Sequence, residues 1–408
     1  MYDWAVLWEW GEIAARWAHV ITGIAWIGSS FYFIALDLGL QRDRKLASGA
    51  DGEEWQVHGG GFYHVQKYLV APDAMPDHLV WFKWESYATW LTGFLMLVLI
   101  YYLGAELYLV DPTVLALTVG QAVGISTGSL AFGWVLYDLI CKSRFGCDNT
   151  RLMVGLYVIL VGMAWGYTQV FSGRAALLHL GAFTATIMSA NVFFIIMPNQ
   201  RIVVADLKAG RVPDAKYGRI AKQRSTHNNY LTLPVLFLML SNHYPLAFAT
   251  PYNWVIASLV FLMGVTIRHW FNSKHARKGN PHWTWGVTVG LFLIIAWLSS
   301  VPMASVDGDA ALSEEAAQFA AAAGFDDVTR IVQGRCAMCH AAAPVWAGML
   351  WAPKGVHLET PAQIAAAARR IYVQAGISHA MPPGNLTYIE AGERAQIVAW
   401  FRAAGGKG

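Results

Sequence analysis

Three residues near the C-terminus form a motif with specific chemistry. The run Cys336-Ala337-Met338-Cys339-His340 has the C-x-x-C-H pattern that attaches c-type haem. Two cysteines at this spacing form thioethers to both vinyl groups of one porphyrin, and the adjacent histidine reaches the iron. A zinc site would need a second pair of ligands, and a redox C-x-x-C pair does not need the histidine. The motif therefore predicts covalent haem c held by Cys336, Cys339 and His340.

The sixth iron ligand should come from a loop further along the chain. Met381 is the favoured candidate, because two prolines follow it and stiffen a loop that must hold a weak thioether ligand. His357 and His379 compete for this position. A Met/His pair raises the reduction potential of haem iron. The terminal helix, residues 390–404, is predicted to close the haem pocket as in class I cytochromes c.

The composition of the whole chain indicates a membrane protein. Of the 408 residues, 56% are hydrophobic and only 13% are charged, against roughly 25% charged in soluble domains. The 19 tryptophans are of the residue type that collects at membrane interfaces. The net charge of +3 and the scattered basic residues lack the electrostatic footprint of a nucleic-acid binder. We expect a lipid-embedded protein with no nucleic-acid partner.

Eight apolar runs are long enough to cross a bilayer as helices, which takes about 20 residues. Their approximate bounds are 13–38, 86–103, 113–140, 152–171, 175–197, 230–249, 252–271 and 283–304. After residue 304 the composition shifts to Ala, Gly, Glu and Asp. The predicted fold is all-α. An eight-helix transmembrane bundle occupies residues 1–304, a linker 305–312, and a class I cytochrome c domain 313–408.

Basic residues between these runs predict the orientation. The connections after the first, third, fifth and seventh runs contain 5, 3, 7 and 4 Lys and Arg, whereas the others contain 0, 1 and 0. Short positively charged connections stay in the cytoplasm. Both termini and the cytochrome domain are therefore expected in the periplasm of a multi-pass protein of the bacterial inner membrane. Cys141 and Cys147 fall in the cytoplasm, where we expect free thiols.

An internal repeat relates the two halves of the membrane domain. The pattern from Tyr87 to Leu103 recurs from Tyr230 to Leu246, 143 residues later, with eight identities in one ungapped register. We predict a 4+4 duplication. Because each half has an even number of spans, the halves are parallel and are related by an axis along the membrane normal.

Histidines inside the spans are candidate ligands, because ionisable residues in a membrane are rare and functional by default. His19 and His179 occupy equivalent repeat positions near the periplasmic side, and His243 lies near the outer end of the sixth span. Two facing imidazoles would suit a b-type haem, and three would suit copper. The alternative is that each histidine only hydrogen-bonds within a helix interface. On the cytoplasmic side, His269 could line a site or bind a second metal.

Polar groups also converge at the cytoplasmic side of the repeat axis. Lys83, Trp84 and Glu85 lead into the second span, and residues 224–229 lead into the sixth. By the 143-residue register, Glu85 corresponds to Asn228. Lys and Trp are ordinary interfacial anchors, whereas a glutamate and an Arg-Ser-Thr-His-Asn-Asn run are not. In the connection after the first span, Gly59, Gly60 and Gly61 would permit close backbone approach to a ligand. The pattern predicts a polar small-molecule site.

Several stretches carry a likeness to a known family: Trp17-Ala18-His19, Trp26-Ile27-Gly28-Ser29-Ser30-Phe31, Gly59-Gly60-Gly61-Phe62-Tyr63, Trp81-Phe82-Lys83-Trp84-Glu85 and the fused C-x-x-C-H domain. Together they resemble the membrane-bound bacterial urate oxidases of the PuuD type. The resemblance covers essentially the whole chain. It implies oxidation of urate to 5-hydroxyisourate, with electrons passed through haem to a soluble cytochrome c or a terminal oxidase.

Roles for the cytoplasmic polar groups follow from this resemblance. His227 or Glu85 would act as general base on a urate N–H, and Lys83 or Arg224 would hold the urate anion. The remaining substrate-binding candidates are Asn228 and Asn229, which would read the amide edge of urate, together with Tyr63 and Trp84.

The resemblance also raises the question of how electrons cross the membrane. The haem c would lie beyond a hydrocarbon layer about 30 Å thick, so we expect one or two b-type haems as a relay, with copper as the alternative. Two other function classes stay open. They are a respiratory dehydrogenase for another small molecule and a transporter with a tethered cytochrome.

Overall fold

Long apolar runs fold into helices because a chain in lipid must satisfy its own backbone hydrogen bonds. The computed structural model describes residues 4–43, 45–68, 76–112, 114–299, 312–346, 349 and 352–406. The helices of the first part are α1 (Trp4–Gly39), α2 (Trp84–Met96), α3 (Ala105–Tyr108), α4 (Val119–Lys142), α5 (Asn149–Thr168), α6 (Gly173–Ala190), α7 (Met197–Lys208), α8 (Ala215–Ser241), α9 (Pro245–Phe248), α10 (Asn253–His275) and α11 (Trp283–Ser299). π-helical turns extend α2 over Leu97–Tyr102 and join α6 to α7 over Asn191–Ile196.

Five of the described helices are long and apolar enough to cross a membrane. They are Val6–Gly39, Val119–Lys142, Asn149–Thr168, Gly173–Lys208 and Asn253–His275. α11 is apolar but has only 17 residues, and α2 and α8 are not among the five. The five helices are those of a membrane protein, and the count of eight spans stays a prediction.

Side-chain caps mark where several helices begin. Thr118 and Gln121 form a reciprocal capping box before α4. Asp148, Ser172 and Asp214 cap α5, α6 and α8 with one side-chain oxygen each. Each cap satisfies backbone N–H groups that a helix start leaves free, so these starts are encoded locally.

The helix packing reflects the two halves in part. If the first four predicted spans are exchanged with the last four, three helix contacts map onto three others. The α1–α2 contact corresponds to α6–α8, the α2–α6 contact to α8–α1, and the α4–α6 contact to α10–α1. The fourth helices differ, because α5 packs on α6 and α10 whereas α11 packs mainly on α10. The α8–α10 contact also has no α2–α4 counterpart of similar extent among the described residues. The packing therefore matches the predicted duplication at these three helix pairs only in part, and the duplication stays a prediction.

The connection between α1 and α2 contains a β-hairpin, which the all-α prediction missed. β1 (Ala50–His58) pairs antiparallel with β2 (Gly61–Tyr68). Gly59 and Gly60 form the turn, both with positive φ, a backbone conformation that glycine adopts without steric cost. The glycines expected to approach a ligand are therefore turn residues, because two glycines between alternating runs make a hairpin.

Two groups of residues lie at opposite ends of the bundle. α1 is one helix of 36 residues, so Trp8 and Asp37 are about 44 Å apart along its axis. Asp37 bonds Lys67 of β2, with Oδ1 2.6 Å from Nζ. We call the end with Asp37 and the β-hairpin the hairpin end, and the end with Trp8 the terminal end.

A second hydrophobic core lies in the C-terminal part. Its helices are α12 (Glu314–Ala321), α13 (Phe325–Arg335), α14 (Ala337–His340), α15 (Pro361–Ala366), α16 (Ala368–Ile371) and α17 (Ala391–Ala403). Trp400 of α17 stacks on Phe325 and donates its indole N–H to the Phe319 carbonyl at 3.0 Å. Phe401 stacks on Tyr372, with 4.1 Å between ring centroids. The terminal helix therefore packs across the first helices of this part, and its identity as a cytochrome domain stays a prediction.

A close helix approach yields a stability prediction. A Cβ at Gly133 of α4 would lie 2.1 Å from Cε2 of Phe183, a side chain that is fully buried. We expect Gly133→Ala to lower stability by about 1–3 kcal/mol, because the core has no room for the methyl group. The measurement is the thermal unfolding midpoint in detergent. Gly128→Ala, on the same helix with open space around its Cα, is the control and should not destabilise. Equal midpoints for the two variants would contradict the prediction.

Candidate functional site

A buried ion pair anchors the polar residues at the hairpin-end half of α8. Arg224 is 2% exposed. Its Nη2 donates to Oδ1 of Asp138 on α4 at 2.7 Å, and its Nη1 donates to Oδ1 of Asn191 at 3.2 Å. Lys142, which is largely exposed, bonds the other oxygen of Asp138 at 2.6 Å. The ion pair therefore joins α8, α4 and the π turn after α6, and two cations share one carboxylate.

A tyrosine and a histidine continue this group. The Tyr137 hydroxyl lies 2.7 Å from Nδ1 of His227. The Arg224 guanidinium lies 4.8 Å from the centroid of the Tyr137 ring. We call the set the Arg224 cluster: Tyr137, Asp138, Asn191, Arg224, His227 and Asn228.

Two nitrogen atoms of the Arg224 cluster are buried without a partner. Nε2 of His227 and Nε of Arg224 have no hydrogen-bond partner in the described part of the chain, and these residues are 1% and 2% exposed. Leaving a buried polar group unpaired costs about 1–3 kcal/mol, so each such group needs an explanation. A polar ligand that bonds both nitrogens would satisfy them.

Asn228 belongs to the cluster through packing contacts. Its Oδ1 accepts from Nδ2 of Asn191 at 3.2 Å, and its Nδ2 donates to the Met188 carbonyl at 2.9 Å. Both ends of its amide therefore hold α8 against α6. Only a second N–H and a second lone pair remain for the predicted role of reading a ligand.

Asn229 faces a different set of neighbours. Its Oδ1 accepts from Nη2 of Arg268 at 3.2 Å and from Nδ2 of Asn272 at 3.0 Å. Arg268 lies over the Phe31 ring, 3.9 Å from its centroid. Nδ2 of Asn229 is buried and has no partner among the residues described. Because successive helical residues point about 100° apart, Asn229 and Asn228 belong to two separate clusters.

Glu85 and Lys83 lie at the start of α2. Oε2 of Glu85 is buried without a hydrogen-bond partner within the described ranges. The next residue, Ser86, bonds Ser189, with 3.0 Å between the hydroxyl oxygens. Ser189 precedes Asn191 by two residues, so the start of α2 lies at the same level of α6 as the Arg224 cluster. Lys83 is half-buried at the N-cap position and makes no capping bond.

Two predicted substrate-binding residues lie outside this interior. Tyr63 on β2 is 55% exposed and Trp84 is 64% exposed. Tyr63 pairs with Gln56 across the hairpin, because the glycine-rich loop folds back as a turn. Trp84 has the exposure of an interfacial anchor. Neither side chain therefore lies in the buried cluster, and their role in substrate binding stays a prediction.

The structure does not pair His19 with His179. His179 is fully buried, and its Nδ1 bonds the Ala175 carbonyl at 2.8 Å while its Nε2 bonds the Ser126 hydroxyl at 2.7 Å. His19 instead packs on α2, with Nδ1 3.0 Å from the Thr89 carbonyl. Each histidine therefore bonds within its own helix interface. Since both ring nitrogens of His179 are engaged, these residues do not fit a bis-histidine haem b as the chain is folded.

The other membrane histidines do not assemble a metal site either. His243 and His269 are both exposed, and Nδ1 of His269 lies 3.5 Å from the Tyr230 hydroxyl. In the described ranges, no three His, Cys, Asp or Glu side chains group as metal ligands. The predicted copper site and the second metal at His269 therefore lack a ligand set. Haem b stays a prediction that these histidines do not support.

The C-x-x-C-H motif in the C-terminal part lies on one helical turn. The backbone N–H groups of Cys339 and His340 both bond the Cys336 carbonyl, at 3.1 and 3.0 Å. Both cysteines are free thiols, and burial raises the pKa of the Cys336 thiol to about 11. Nδ1 of His340 donates to the Val356 carbonyl at 2.8 Å, the second bond that usually orients a ligating histidine. These residues fit a covalently attached haem c.

The loop that contains Met381 is held by an arginine that sequence reasoning missed. Arg394 of α17 is 8% exposed, and its Nη1 donates to the carbonyls of Ala375 and Met381, the latter at 2.9 Å. The Met381 N–H bonds the Gln374 carbonyl at 2.9 Å. The loop is therefore fixed by hydrogen bonds to its backbone as well as by its prolines.

Several residues of the two polar clusters could have been noticed in the sequence, because they are polar residues inside or near predicted spans. Tyr137, Asp138 and Asn191 lie inside predicted spans, and Arg268 lies near the end of another. A charged residue inside a span indicates function, yet Asp138 and Arg268 are close enough to span ends to be taken for ordinary flanking charges. Their partners come from other spans, so the clusters could not be assembled without the fold.

The fold and the polar cluster define a class: a helical membrane protein with a buried polar site nearer its hairpin end. A family model described as urate oxidase N-terminal matches residues 5–299. The chain belongs to this family, and the match covers the whole membrane part. No curated protein and no solved structure matches the chain. The family confirms that the protein is related to urate oxidases, whereas the fused c-type domain stays a prediction.

The buried ion pair yields a prediction with a matched control. Asp138→Asn should lower the free energy of unfolding by about 3–5 kcal/mol, because it leaves the buried Arg224 guanidinium without a counter-charge. Lys142→Ala removes the exposed partner of the same carboxylate and should cost about 1 kcal/mol or less. Thermal unfolding in detergent compares the two. Similar losses would show that burial does not distinguish these two contacts.

The iron ligand can be tested by absorption spectroscopy. Met381→Ala should abolish the weak long-wavelength charge-transfer band of a Met–iron bond while covalent haem remains attached. Met349→Ala, in the same domain, is the control and should keep the band. Survival of the band in Met381→Ala would assign the sixth ligand to another residue.

Proposed function

We propose that the protein oxidises urate to 5-hydroxyisourate and passes the electrons to a covalently bound haem c. The observation that carries this proposal is the Arg224 cluster, which has two buried nitrogens without a partner among the described residues, in a chain of the urate oxidase N-terminal family. Two cations share one carboxylate there, so the site favours an anion. Urate is a planar anion whose carbonyl oxygens and ring N–H groups match such nitrogens.

The chemistry requires a base and an electron acceptor. Urate and water give 5-hydroxyisourate, two protons and two electrons. His227 is the proposed base: in the tautomer in which Nδ1–H donates to the Tyr137 oxygen, Nε2 carries a lone pair. A positioned general base typically contributes about 10²–10⁴-fold to the rate.

Substrate binding is assigned to groups that still have hydrogen-bonding capacity. Arg224 would bond a urate oxygen through Nε while Asp138 holds the rest of its guanidinium. Lys83 is the alternative cation. Glu85, with its unpartnered Oε2, is the alternative base. Asn228 would orient the cluster through α6.

Haem c, when bound, supplies a one-electron acceptor, so each turnover needs two single transfers. Cys336 and Cys339 would hold the porphyrin, and His340 and Met381 the iron. The onward acceptor is proposed to be a soluble cytochrome c or a terminal oxidase. Lys and Arg divide 19 to 1 between alternate connections, which supports a bacterial inner-membrane protein with both termini and this domain in the periplasm.

The distance between the two sites requires a relay or a different substrate position. Ser126, the partner of His179, and Tyr137 are eleven residues apart on α4, which is about 16 Å, and the C-terminal part lies further out. Pyridine haemochrome analysis tests the relay, because it separates extractable haem b from covalent haem c. If the protein contains haem c alone and urate still reduces it fully, the substrate site would instead lie at the terminal end. There, the Tyr101 hydroxyl and Nε of Arg174 are also buried without partners among the described residues.

The proposed function predicts that urate reduces the haem c of the purified protein under anaerobic conditions. His227→Gln should slow this reduction by about 10²-fold or more while dithionite still reduces the haem fully. His282→Gln, an exposed position at the same end, should react as the unmodified protein does. Reduction by another small molecule but not urate would favour the respiratory dehydrogenase. Reduction by none would favour the transporter.

A further inference from the structure

The C-terminal part contacts the terminal end of the bundle through a tyrosine between two arginines. Nε of Arg370 on α16 donates to the Tyr108 hydroxyl at 2.9 Å, and its guanidinium lies 4.4 Å from the centroid of that ring. The Arg174 guanidinium lies 4.9 Å from the same centroid. The backbone of Tyr108 is also fixed, since its carbonyl accepts a hydrogen bond from the Ser172 hydroxyl at 2.7 Å. A hydrogen bond and a cation–π contact at one residue fix both distance and orientation.

Further contacts surround this one. Arg369 lies over the Trp8 ring, 5.7 Å from its centroid. Glu9 is near enough to interact electrostatically with both Arg369 and Arg370. The turn after α16 touches α1, and the 3₁₀ turn Pro353–Gly355 touches α9. The interface therefore joins two cations of one part to an acidic and two aromatic residues of the other.

These contacts lie near His340. Val356, whose carbonyl accepts from Nδ1 of His340, directly follows the turn that touches α9. Arg370 also interacts electrostatically with His340. The residue that would hold the haem iron, through its Nε2, therefore lies close to the interface.

We propose that the terminal end of the bundle is the docking surface for the side of this chain's own C-terminal domain that contains His340, with Arg369 and Arg370 as its positioning residues. The inference rests on the proposed function only for its purpose, which is to bring haem c close to the electron donor, urate. Each urate would release two electrons in two single transfers. Each transfer would reduce ferric iron to ferrous iron, and the onward acceptor would reoxidise the iron between them.

The interface continues into the bundle through closely spaced rings. The Tyr108 and Tyr101 centroids are 6.0 Å apart, and those of Tyr101 and His179 are 5.8 Å apart. Tyr101 is 2% exposed, so this line of rings excludes water and gives the docked domain a packed route into the interior.

Site-specific photo-crosslinking of the full chain tests the docking without depending on activity. p-Azidophenylalanine at Tyr108 should crosslink within one chain to a peptide that contains residues 368–371. The same probe at Tyr252, near the start of α10 at the same end, should give no such product. The absence of this product at Tyr108, or a product only between two chains, would overturn the proposal.

Substitutions then test the positioning residues. The double variant Arg369→Ala and Arg370→Ala should reduce the crosslink yield and slow haem reduction by urate by about tenfold or more, the loss expected of two cation–π contacts plus a hydrogen bond. Reduction by a small diffusible reductant should not change. Arg330→Ala, an exposed arginine on α13, is the control and should alter neither readout. An unchanged crosslink or unchanged urate-dependent reduction in the double variant would overturn the assignment. In the chain that keeps Arg369 and Arg370, the expected crosslink together with a haem that urate does not reduce would support the docking and refute the proposed function.

Discussion

The arrangement of the membrane interior depends on the buried ion pair between Arg224 and Asp138. Neither charge is stable alone in a medium of low dielectric constant, so each side chain must reach the other. This requirement fixes the register of α8 against α4. Tyr137 is the neighbour of Asp138 and His227 lies one turn from Arg224, so the same register brings the hydroxyl to the imidazole. A stability constraint thereby positions the candidate base.

Sequence patterns predicted the parts of the molecule that depend on local chemistry. The C-x-x-C-H turn and the terminal helix needed only neighbouring residues. The Arg224 cluster could be predicted only on its α8 side, because Asp138 and Asn191 come from spans 86 and 33 residues away. The hairpin was missed because its glycines were assigned to ligand contact instead of to a turn. Repeat symmetry suggested facing histidines, but symmetry fixes helix positions and leaves each side chain to its own hydrogen-bond partners.

Arg224 in the interior of the bundle and Arg370 at its terminal end have different roles. In the interior, Arg224 has Asp138 as counter-charge and keeps one N–H for a ligand. At the terminal end, Arg370 contacts Tyr108 through its ring face and hydroxyl, an arrangement that a half-exposed cation can adopt without full desolvation. The first contact is expected to cost stability when broken, whereas loss of the second leaves no buried charge without a counter-charge. The two arginines therefore bind their partners under different constraints, one set by burial and the other by partial exposure.

The predicted duplication accounts for a single cluster if the two halves differ at the corresponding positions. By the 143-residue register, Arg224, His227 and Asn229 correspond to Trp81, Trp84 and Ser86. Of these, Trp84 is exposed and Ser86 packs on Ser189, so the first half has an anchor and a small packing residue at two of these three positions. Glu85 is the exception, because it keeps a buried polar group at the position equivalent to Asn228. A second Arg–Asp pair would have placed two more charges in the interior, whereas a single carboxylate at the start of α2 lets the first half complement a site built mainly by the second.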